Sequence, residues 1–160
     1  MPKALLDRLL ATRTFNQGFA TVEYTACALV DLDLHSLPHA KALDVTAFER
    51  QDLERIAMPP EIVMRHRLPH FQHLFSGGGY AAGYYSYMWS EVLDADAFAA
   101  FEETGNAFDP ATAKRLHDYV YSAGNRRDPK DAYKAFRGRL PTVDALLKKR
   151  GLADVSTSAR

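Results

Sequence analysis

The sequence predicts an all-α protein. Three observations carry this. Apolar residues recur at helical spacing along most of the chain, and almost no segment alternates apolar and polar residues as a half-buried strand would. Asp109-Pro110 and Asp128-Pro129 each have the form of a helix N-cap followed by its first position. Proline and glycine also punctuate the chain at intervals that suit helices of ordinary length.

Each element follows in order. Leu5, Leu6, Leu9 and Leu10 after Pro2 predict a short first helix. Phe15, Phe19, Val22, Ala26 and Leu29 form one apolar stripe on a long second helix, which Pro38 bars from continuing. Thr46, with Glu49 three positions on, predicts a capping box for a third helix that Pro59-Pro60 ends. Residues 65–79, with a proline and three glycines, predict a loop. A long helix is expected from Tyr80 to Glu103, with Trp89 and Leu93 turned into the core. Helices then follow Asp109 and Asp128, a last short one follows Pro141, and 153–160 form a frayed tail.

Composition excludes several classes. The chain has 160 residues, and its twenty basic side chains cancel its twenty acidic ones, so no electrostatic argument favours nucleic acid or an anionic membrane. Cys27 is the only cysteine, which excludes a disulfide framework and a cysteine zinc cluster and suits a reducing compartment. No apolar run approaches the length of a membrane span, and the N-terminus lacks the apolar core of a signal peptide, so the expected location is the cytoplasm.

The richest stretch is residues 70–89, "HFQHLFSGGGYAAGYYSYMW". On a helix starting at Tyr80, the side chains of Tyr80, Tyr84 and Tyr87 fall within an arc of roughly 60°, and Glu91 continues that face. A tyrosine hydroxyl with its ordinary pKa near 10 is a donor on a rigid apolar arm at neutral pH, so three of them can grip a carbonyl, a carboxylate or a developing oxyanion. Spacing alone favours the plainer reading of amphipathic core residues with their hydroxyls at the surface, because aromatic stripes at helical spacing are usually core. Gly77, Gly78 and Gly79 shift the balance: a run without Cβ atoms lets backbone amides approach a ligand and lets the loop move. No Gly-Lys-Ser or Gly-Lys-Thr follows, so this is no phosphate loop.

His66, His70 and His73 stand at i, i+4, i+7, a metal-like spacing that Pro69 interrupts. No metal site is expected in this chain. His35, His39 and His117 are isolated and read as ordinary surface residues. No HExxH occurs, and no serine or cysteine sits in a nucleophile elbow. The residues alone describe a surface for peptide-like ligands without a catalytic engine.

"FQHLFSGGGYAAGYYSYMWSEVLDADAF" resembles the substrate-loop and helix segment of the thimet oligopeptidase and neurolysin family of zinc peptidases, which includes bacterial oligopeptidases and peptidyl-dipeptidases. The blocks "MPKALLDRLLATRTFNQGFATVEYTACALVDLDLH" and "AGNRRDPKDAYKAFRGRLPTVDALLKKRGL" resemble it too, so the likeness runs from about Met1 to Leu152. The triple glycine and the "GNRRDP…FRGR" ending look more like the peptidyl-dipeptidase branch, which removes dipeptides from peptide C-termini.

The resemblance implies the helical C-terminal part of a longer peptidase that encloses a deep channel. It places His73 and Tyr87 as donors to the oxyanion formed at the scissile carbonyl, and Tyr80 and Tyr84 as groups that hold the peptide backbone or its terminal carboxylate. It also implies zinc in the intact enzyme, held by an HExxH and a later glutamate that this chain does not contain. The expected partners are short peptides and the rest of the peptidase. Alone, the chain is expected to be inactive; the alternative is a free-standing helical module for peptide binding or protein interaction.

Overall fold

The structure, a computed structural model, describes residues 1–38 and 42–153. His39 and the tail from 154 onward therefore lie outside the described residues. All described regular elements are helical, as expected: α1 (Lys3–Ala11), α2 (Gln17–His35), α3 (Val45–Arg55), α4 (Gln72–Phe75), α5 (Ser86–Glu102), α6 (Pro110–Leu116), α7 (Pro129–Arg137) and α8 (Asp144–Lys149), with short 3-10 turns at Thr12–Thr14 and Leu68–His70 and a π-helical turn at His117–Tyr121. The chain divides into two compact units, Met1–Met88 and Trp89–Arg160. Among the described residues no helix is long and apolar enough to cross a membrane.

In the first unit the core is Cys27 and Val30 from α2 with Met64, Leu68, Phe71 and Leu74, flanked by Leu34, Phe48, Leu53 and Tyr84. This corrects the expected stripe on α2. Phe15 is 80% exposed, Phe19 and Val22 are exposed, and of that series only Ala26 is buried. The face that wins is Cys27, Val30 and Asp31, because the apolar side chains of 64–74 pack there. Leu68, Phe71 and Leu74 follow at intervals of three, so the segment expected to be all loop holds a 3-10 turn and one helical turn with a single buried face.

The start of α3 is also corrected. Asp44, not Thr46, is the cap: its carboxylate accepts the Thr46 and Ala47 amides at 3.1 and 2.9 Å. Glu49 is buried and turned elsewhere. The helix ends in a Schellman pattern, with the Met58 amide on the Leu53 carbonyl and the Ala57 amide on that of Glu54, so it stops before Pro59-Pro60. Ala57 takes the left-handed position that glycine usually fills.

The second unit packs Ala100 of α5 against Tyr133 and Phe136 of α7, with Leu93, Ala97, Leu116 and Tyr119 around them. Asp109 and Asp128 cap α6 and α7 as predicted, accepting the Thr112 amide at 2.7 Å and the Lys130 amide at 2.8 Å. Leu93 faces this cluster, but Trp89 is 62% exposed, against expectation. Glu91 pairs with Arg150. Buried Asp96 gathers the Tyr133 hydroxyl at 2.7 Å, Arg139 at 2.6 Å and Arg137 at 3.3 Å, and Arg137 continues to Glu103.

Candidate functional site

The site is built on α2 and on the irregular segment that precedes α5. Glu49 fixes the beginning of that segment: its buried carboxylate accepts the Leu68 amide at 2.7 Å and Arg67 Nε at 2.8 Å. Burial of Phe71 and Leu74 then orients α4, leaving His73 between them on the exposed side.

Residues 80–85 are turns, and α5 begins only at Ser86. The expected helix from Tyr80 is therefore too long by about a turn and a half. Ala82 adopts the left-handed φ of 56°, which ends any helical run. The amides of Ala82 and Tyr84 point away from the chain's own carbonyls and bond to Asp31 at 3.0 and 2.9 Å. Gly83 sits tightly in this turn, since a Cβ there would meet the Tyr80 carbonyl oxygen at 3.2 Å and that carbonyl would have to give slightly.

The single-face argument for the tyrosines fails with the helix, yet the turns gather the same side chains around one imidazole. The His73 ring centroid is 4.3 Å from that of Tyr80, 5.9 Å from Tyr84 and 5.8 Å from Tyr87. His73 Nε2 lies 2.7 Å from the Tyr87 hydroxyl. Tyr84 is wedged edge-on between Phe71 and Tyr87 at 4.9 and 5.5 Å. A cavity of about 490 Å³ opens beside them, lined by Tyr24, His66, His70, Phe71, Gln72, His73, Tyr84 and Tyr87.

Both inner phenols are held in the protonated, donating form. Burial pushes the Tyr84 hydroxyl above its ordinary pKa, and Tyr87 is raised by partial desolvation and then by the neighbouring Tyr80 hydroxyl. If Nε2 of His73 carries the proton, it donates to the Tyr87 oxygen and leaves that hydroxyl's hydrogen free for a bound acceptor.

The glycines stand apart. Gly77, Gly78 and Gly79 are exposed, and none lines the cavity. Only Gly77, at φ 145°, needs glycine's freedom, and a Cβ at any of the three would meet open space. His66 and His70 line the cavity as part of an aromatic wall, His66 lying 5.1 Å from Phe71. Among the described residues no group of three or more His, Cys, Asp or Glu is placed to hold a metal ion.

Two residues of the site were missed in the sequence. Tyr24 stacks on Tyr84 at 5.2 Å, its hydroxyl donates to the Tyr84 carbonyl, and it accepts the Met88 amide at 3.2 Å. Asp31 is wholly buried and pairs with His35 at 2.8 Å, so His35, though exposed, is not isolated as expected. Asp31 had one visible signal: a carboxylate one turn after Cys27, inside the apolar run "ACALVDL". Tyr24 had none, since its partner lies sixty residues away.

The family model of peptidase family M3 matches residues 1–152. Oligopeptidase A of Escherichia coli (strain K12) is 40% identical over 157 residues, covering 95% of this chain and 22% of that protein. Dipeptidyl carboxypeptidase of Salmonella typhimurium is 37% identical over 155 residues, again 95% of this chain and 22% of the relative. A probable cytosolic oligopeptidase A of Arabidopsis thaliana is 37% identical over 161 residues, 98% of this chain and 23% of the relative. The chain thus spans about a fifth of the length of the relatives it matches.

Proposed function

Because this chain belongs to peptidase family M3, we propose that it is the substrate-binding portion of a zinc metallopeptidase that hydrolyses short peptides. The observation that carries the reading is the His73–Tyr87 contact at the edge of a cavity ringed by tyrosines. With His73 donating to its oxygen, the Tyr87 hydroxyl keeps its own hydrogen for the space beside it, which suits a substrate carbonyl whose oxygen gains charge as the peptide bond is attacked.

In this reading Tyr87 donates to that oxygen and His73 supports Tyr87 through Nε2. Tyr80 and Tyr84 grip the peptide backbone or its terminal carboxylate, and the exposed 77–79 glycine run accommodates its passage. The dipeptide-releasing branch is favoured by the sequence blocks noted above. Relatives named for either activity match at similar identity, so the branch rests on those blocks alone.

The described residues do not form a zinc site. Zinc, which would supply the activated water, belongs in this reading to residues of the intact enzyme outside this chain. What the chain contributes is binding and polarisation of the peptide. The apolar side chains left exposed, among them Phe15, Phe19 and Val22 on one unit and Trp89 and Phe108 on the other, fit a surface that the rest of the peptidase covers.

The test is Tyr87→Phe in the complete peptidase. Loss of the hydroxyl with the ring retained should lower kcat about a hundredfold or more, by analogy with oxyanion-donor deletions. Turnover at the wild-type rate would remove the assignment.

A further inference from the structure

We infer that Asp31 is a positioning residue for the tyrosine pair. It is a buried carboxylate on α2 that fixes the turn carrying Tyr84 and leading into the start of α5, where Tyr87 stands. The inference rests on the functional reading given above.

Asp31 is 0% exposed, and a carboxylate so buried persists only where donors replace its water. Three do. The Ala82 amide donates to Oδ1 at 3.0 Å and the Tyr84 amide to Oδ2 at 2.9 Å. His35 Nδ1 lies 2.8 Å from Oδ1 and 2.9 Å from the Asp31 backbone carbonyl; facing two acceptors, it carries its hydrogen.

These bonds fall where the chain's own backbone bonds are turns, Gly83 to Tyr80 at 2.9 Å and Ser86 to Gly83 at 3.1 Å, rather than a helical ladder. Ala82 is an alanine in a left-handed conformation, and residues 80–85 have no helical ladder to fix them. Tyr84 is instead clamped at both backbone groups by α2, its amide on Asp31 and its carbonyl receiving the Tyr24 hydroxyl. Three residues on, Tyr87 meets His73. The same dyad also reaches the other half of the site: the His35 ring lies 6.1 Å from Phe75 of α4, the helical turn that carries His73. One carboxylate therefore references the donor pair to α2. An amide in its place would turn an N–H toward one of the backbone N–H groups, so shape alone cannot substitute for its two acceptors.

The experiment uses the complete peptidase with Asp31→Asn and His35→Gln, each alone and combined with Tyr87→Phe. Hydrogen exchange over residues 80–88 reads the clamp independently of activity, and steady-state kinetics read its consequence. Asp31→Asn should speed exchange of the Ala82 and Tyr84 amides about tenfold or more while α2 and α3 stay protected. It should also lower kcat by up to about a hundredfold with a smaller change in KM, the scale on which a displaced catalytic group is felt. Added to Tyr87→Phe it should cost almost nothing more in kcat, since both act through one hydroxyl. His35→Gln should shift exchange and kcat in the same direction by less, and it decides the matter if Asp31→Asn does not fold. Unchanged exchange at 82 and 84, or losses fully additive with Tyr87→Phe, would overturn the inference. If Tyr87→Phe alone turns over at the wild-type rate, the functional reading fails instead, and the exchange result still decides whether Asp31 holds the turn.

Discussion

His73 Nε2 lies 2.7 Å from the Tyr87 hydroxyl across fourteen residues of chain, with a triple glycine and a left-handed alanine between them. Groups that close act as a unit. In the complete peptidase His73→Ala should lower kcat in the same direction as Tyr87→Phe, and the double variant should lose less than the product of the single losses. Kinetic losses that multiply in full would show that the two act on different atoms.

Tyr80 and Tyr84 meet the His73 ring through their aromatic faces and edges, whereas Tyr87 meets it through its hydroxyl, which separates their expected effects. Tyr80→Phe or Tyr84→Phe should raise KM, most for short peptides whose terminal carboxylate is the main handle, and should leave kcat nearly unchanged. A kcat loss as large as that of Tyr87→Phe would place these hydroxyls at the reacting carbonyl.

The helical class and the Asp-Pro caps were legible in the sequence because they depend on local signals, whereas Tyr24 and Asp31 were not, since the backbone groups they hold at residues 82 and 84 lie more than fifty residues away. The errors came where tertiary partners overrode local ones. Phe15, Phe19 and Val22 make a regular stripe, but the residues of 64–74 pack on the Cys27–Val30 face. Thr46 and Glu49 spell a capping box, yet Glu49 is worth more as a buried acceptor for Leu68, and Asp44 caps without it. The helix expected from Tyr80 starts later because Asp31 takes the Ala82 and Tyr84 amides. The tyrosines converge through turns rather than along one helix, so the expected grouping is reached by different geometry.

The three glycines differ in what they require. Gly77→Ala forces a side chain into φ 145° and should destabilise the first unit by about 1 kcal/mol or more. Gly78→Ala, with open space around its Cβ and no such φ, should be near neutral. Thermal denaturation of the two variants compares them directly, and equal losses would mean that the loop takes other conformations in solution.

Tyr133 gives a test by pH. Its hydroxyl, buried and donating to Asp96 at 2.7 Å, has a pKa raised well above 10, first by burial and then by that carboxylate. Below about pH 10 both folded and unfolded chains keep the proton, so the group adds no pH dependence. Above it the unfolded chain releases the proton while the folded one retains it. Stability must then fall with rising pH, by about 1.4 kcal/mol per unit from this group, until the folded pKa is passed. Tyr133→Phe removes a donor from buried Asp96, which keeps Arg137 and Arg139, and should cost about 1–3 kcal/mol at neutral pH. The variant also lacks the ionisation that weakens the wild type in alkali. The stability gap between the two, measured by urea denaturation at pH 7 and about pH 11, should therefore narrow at the higher pH. A gap that stays constant would mean that the Tyr133 proton is not held by Asp96 in the folded chain.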